Sequence, residues 1–113
     1  MEAKYIQVKL KEWLIHLYEL KQGNIILKNK LSEALKNKVS RSFVEKVDLY
    51  QQKIISRDQI IDLLRHDATA LLSKYVLTSK LETEANTLEK DINRISIEFN
   101  QMKIELEEYI SKH

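Results

Sequence analysis

Apolar residues recur along this chain at alternating steps of three and four. Near the C-terminus, Leu81, Ala85, Leu88, Ile92, Ile95, Phe99, Met102, Leu106 and Tyr109 keep that rhythm without a gap. An earlier stretch repeats it through Ile6, Leu10, Trp13, Leu17, Leu20, Asn24, Leu27, Leu31 and Ala34. A middle stretch does so through Phe43, Val47, Tyr50, Ile54, Arg57, Ile61, Leu64, Ala68, Leu71 and Tyr75. A repeat averaging about 3.5 residues marks helices that bury one stripe against other helices. Three such segments predict an all-α fold.

Two capping boxes place the helix starts. Ser42 is followed three residues later by Glu45, and Ser79 by Glu82. In such a box the hydroxyl accepts from the third helical N–H and the carboxylate reaches back to the cap. The helices then run over about 3–38, 43–76 and 80–112, each about 50 Å long at the rise of an α-helix. Their connections are short, so neighbours must be antiparallel. The expected architecture is one domain, residues 1–113: an up-down-up bundle with coiled-coil-like heptad packing.

That topology fixes a register. Facing positions of the first two helices should have residue numbers totalling about 81, and those of the last two about 156. The resulting layers bring stripe residue against stripe residue throughout, with large side chains set against Ala68 and Ala85. Such volume compensation is what a close-packed core requires. One layer is polar, because Asn24 falls opposite Arg57. Read as structure, it disfavours slipped alignments at some cost in stability. The same height carries Gly23, which weakens a helix by about 1 kcal/mol relative to Ala, and Ser56-Arg57-Asp58-Gln59, which reads as a third capping box. A buried polar layer or a kink near Gly23 and Ser56 is therefore expected there, and a ligand site on Asn24 and Arg57 is the sharper alternative.

Composition narrows the function. The 113 residues include one glycine, no proline and no cysteine, and 32% are charged. One glycine cannot build a phosphate-cradling loop. Without cysteine there is no disulfide, thiolate metal site or thiol catalysis. No serine lies in a glycine-framed elbow. No run of about 18 uncharged apolar residues spans a membrane. The opening Met1-Glu2-Ala3-Lys4-Tyr5 lacks the apolar core of a signal peptide, so a cytoplasmic location is the expectation. His16 with Glu12, and His66 with Asp62, fall at similar heights on adjacent helices. The heptad turns His66 outward, however, and the Glu-x-x-His spacing of di-metal bundles is missing. No metal, cofactor, small-molecule substrate or catalytic residue is expected.

The surface offers two candidate interaction sites. Lys28, Lys30, Lys36, Lys38, Arg41 and Lys46 gather near the first turn, where a polyanion could bind. Against this, the net charge is only +2 and lysine outnumbers arginine 15 to 4, although phosphate readout favours the arginine fork. Glu105, Glu107 and Glu108 should also arrive at the same pole. The second site is apolar. Val8, Ile15, Tyr18, Ile25 and Ile26 lie off the buried stripe of the first helix, and Ile97 and Ile104 recur on the back of the third. Single exposed apolar residues are ordinary, but a repeating stripe marks a second contact surface. The expected function is a non-enzymatic interaction, scaffold or adaptor module that binds itself, as a homodimer or higher oligomer, or another protein. The competing expectation is a nucleic-acid-associated regulator using residues 28–46.

Overall fold

The chain folds into three long helices, α1 (Ala3–Asn37), α2 (Arg41–Leu72) and α3 (Ser79–Lys112), and no strand occurs among the described residues. This computed structural model describes residues 3–37, 40–73 and 79–112. The bundle is slender, 57 × 17 × 17 Å. Cross-helix contacts give its direction. Gly23 meets Phe99, and Lys30 meets Glu107, so α1 and α3 run parallel. Asn24 meets Asp58 and Lys21 meets Asp62, so α2 runs against them.

The proposed register is observed to within about a residue at mid-height. Asn24 and Asp58 total 82 against the expected 81, and Arg57 and Glu98 total 155 against 156. The heptad stripes form one core, in which Leu17, Leu31, Ile54, Ile61, Ala68 and Leu106 are fully shielded from water. Trp13, Ala34 and Tyr109 are half-buried members of the same layers. Leu14, Leu35, Leu72 and Ile110 also pack on the core. Each directly follows a stripe residue, and they are recruited because every helix here must cover two neighbours, which needs a wider apolar face than a two-stranded seam. Tyr75 and Val76, expected to end the second helix, lie outside the described residues.

The start of α2 differs from expectation. Ser40, in extended backbone, is the N-cap, and its hydroxyl accepts from the Phe43 N–H at 3.2 Å. Ser42 is already inside the helix, and Glu45 pairs with Arg41 at 3.3 Å instead of reaching back to a cap. The earlier start satisfies the third helical N–H from Ser40 and places Phe43 a full turn into the helix, stacked on Tyr109 with centroids 5.7 Å apart. Ser42–Glu45 has the spacing of a capping box, but the spacing alone did not show that Ser40 could cap two residues sooner. Side-chain capping by Ser79 lies outside the described residues.

At this height neither helix is interrupted: α1 runs through Gly23 and α2 through Ser56. Gly23 has an ordinary negative φ, so backbone freedom is not its purpose. A Cβ there would lie 2.5 Å from Cζ of Phe99 and 3.2 and 3.3 Å from the adjoining ring carbons. The glycine makes room for an aromatic ring laid directly against the α1 backbone. In the stretch read as a third capping box, Asp58 turns outward from the helix backbone and binds Asn24 and Lys28.

Candidate functional site

At mid-height the bundle carries a polar girdle. Asn24 is completely buried, and its amide donates to Asp58 Oδ1 at 2.8 Å. Lys28 closes on the other oxygen of Asp58 at 3.0 Å. Arg57 does not bond Asn24; it is half-buried and turns to Glu98 on α3 at 3.0 Å. One turn away Lys21 pairs with Asp62. The girdle therefore separates into an α1–α2 group and an α2–α3 pair, with Asn24 Oδ1 and Arg57 Nε left without a protein partner. Burying unsatisfied groups costs about 1–3 kcal/mol each. A slipped alignment would strand more of them. Asn24 does not line the groove beside Asp67 and Thr83, nor the one beside Ile26 and Ile110.

His16 has a different partner from those its sequence neighbours offered. Its Nε2 lies 2.6 Å from Ser96 Oγ on α3, and Nδ1 lies 4.0 Å from Glu19. Glu12 pairs with Lys9 and Asp62 with Lys21 and Arg65, while His66 is exposed. The register alone does not find this partner: it sets His16 level with about residue 91 of α3, and the imidazole reaches a further turn along the helix to Ser96. Glu19, His16 and Ser96 have the composition of a nucleophilic triad, but the geometry is structural. Ser96 Oγ also donates to the Ile92 carbonyl at 2.8 Å. It sits inside a continuous helix whose backbone N–H groups are committed to the ladder, so no oxyanion donors face it. The pair ties α1 to α3. No group of three metal-ligating side chains is close enough to hold an ion among the described residues.

The basic pole is locally compensated. Lys28 binds Asp58, Lys30 binds Glu107 at 3.1 Å, Lys36 binds Glu33 at 2.9 Å, and Arg41 binds Glu45. Lys46 lies 5.5 Å above the Tyr50 ring and 6.0 Å from that of Tyr109. Lys38 lies outside the described residues. Tyr50, Tyr109 and Phe43 form an aromatic cluster at this end. Burial pushes the Tyr50 phenol above its ordinary pKa, with the Glu105 carboxylate and Tyr109 acting in the same direction.

Comparison with family models, characterised proteins and solved structures finds no match for this chain. The reading of function therefore rests on the molecule itself.

What the surface offers most clearly is apolar. Ile15, Ile97 and Ile104 are 62%, 60% and 59% exposed, and Val8, Tyr18, Ile25 and Ile26 are exposed as well. On α1 these five side chains extend over about 27 Å of helix. Additional apolar residues stand outward on α2, including Leu49, Ile55, Ile60 and Leu63, with Tyr5 on α1. They do not keep one seven-residue row, so the heptad gave little warning of Ile60 and Leu63. No helix of the described residues is long and apolar enough to cross a membrane.

Proposed function

We propose that this chain is a non-enzymatic helical interaction module that associates through the outward apolar faces of α1 and α3. The observation that carries the reading is the lengthwise row on α1, where Val8, Ile15, Tyr18 and Ile25 remain exposed although the core is already complete. Apolar area repeated along one face is stabilised by covering it with another apolar surface. A bundle only 17 Å across buries a limited core for its length, which adds to the benefit of association. The cytoplasm is the proposed location. Binding of a polyanion at residues 28–46 is the weaker alternative, since each described cation there already has an anionic or aromatic partner.

Sedimentation equilibrium tests the reading. Concentration-dependent association is expected at tens of micromolar, weakened by Ile15→Lys or Ile97→Lys. A photo-cross-linking residue at Ile15 or Ile97, compared with one at outward-facing Gln52, reports contact with a different protein in the source cell. A monomer that captures nothing from either position overturns the proposal.

A further inference from the structure

We draw no further inference here: the strongest candidate, the outer face of α1 with its exposed Val8, Ile15, Tyr18 and Ile25, carries nothing beyond the proposed function because nothing in the structure shows what covers it.

Discussion

Replacing Gly23 with alanine sets two effects of opposite sign against each other. Within a helix, alanine is favoured over glycine by about 1 kcal/mol. The new Cβ, however, would lie 2.5 Å from Phe99 Cζ, with the neighbouring ring carbons at 3.2 and 3.3 Å. The ring has to withdraw as a unit, and Phe99 is only 8% exposed. Overpacking of this kind costs about 1–3 kcal/mol. The net expectation is a loss of about 1 kcal/mol, or about 4 °C in Tm. The same substitution made in a Phe99→Leu background removes the clash and leaves the helical gain, so there it should stabilise by about 1 kcal/mol. Urea unfolding followed by circular dichroism at 222 nm, on the four proteins of the cycle, measures a coupling of about 2 kcal/mol. The reasoning fails if Gly23→Ala stabilises the wild-type chain as much as it stabilises the Phe99→Leu variant. The glycine would then be a helix weakness with no packing role.

Three further outcomes follow from the same structure. Asn24→Leu removes a buried amide whose oxygen has no partner while Asp58 keeps Lys28; stability should hold or rise by about 1 kcal/mol, and a loss of 2 kcal/mol or more in urea unfolding contradicts the account of the girdle. Ser40→Ala should cost about 1 kcal/mol through the lost cap, and Ser42→Ala only a few tenths; reversal of that order in thermal melts would return the helix start to Ser42. For Tyr50, the folded-state pKa is raised above the ordinary 10, so its contribution is fully present below about pH 10 and is lost as pH climbs through the folded value. Comparing urea midpoints of the wild type and Tyr50→Phe from pH 9 to 11.5 should show the wild type declining more steeply; parallel declines would sink the assignment.

The three-helix fold was legible because burial is periodic. Each stripe repeats at about 3.5 residues over 29 residues or more, and no glycine or proline interrupts it apart from Gly23. Short connections then leave one topology and, with it, one register, so Asn24 was correctly placed at the height of Arg57. The identity of each polar partner was not legible. Arg57 bonds Glu98 on the third helix, and Asn24 bonds Asp58 next door to the expected residue, because the heptad sets the height of a side chain and not which neighbouring charge it can reach. Similarly, Ser40 and Ser42 are both competent caps, and the docking of Phe43 on Tyr109 goes with the earlier one.

The outward rows Val8–Ile15–Tyr18–Ile25 and Ile97–Ile104 could be read from the sequence by subtracting the core. Whether those rows were exposed depended on how wide the core became, which only the packing of all three helices decided. Gly23 shows the division most sharply. The sequence determined that a residue without a side chain stands there and that a helix is weaker for it. The tertiary structure decided that this weakness is the room Phe99 needs, since a distance between residues 76 positions apart is set by the approach of two helices and by no local pattern.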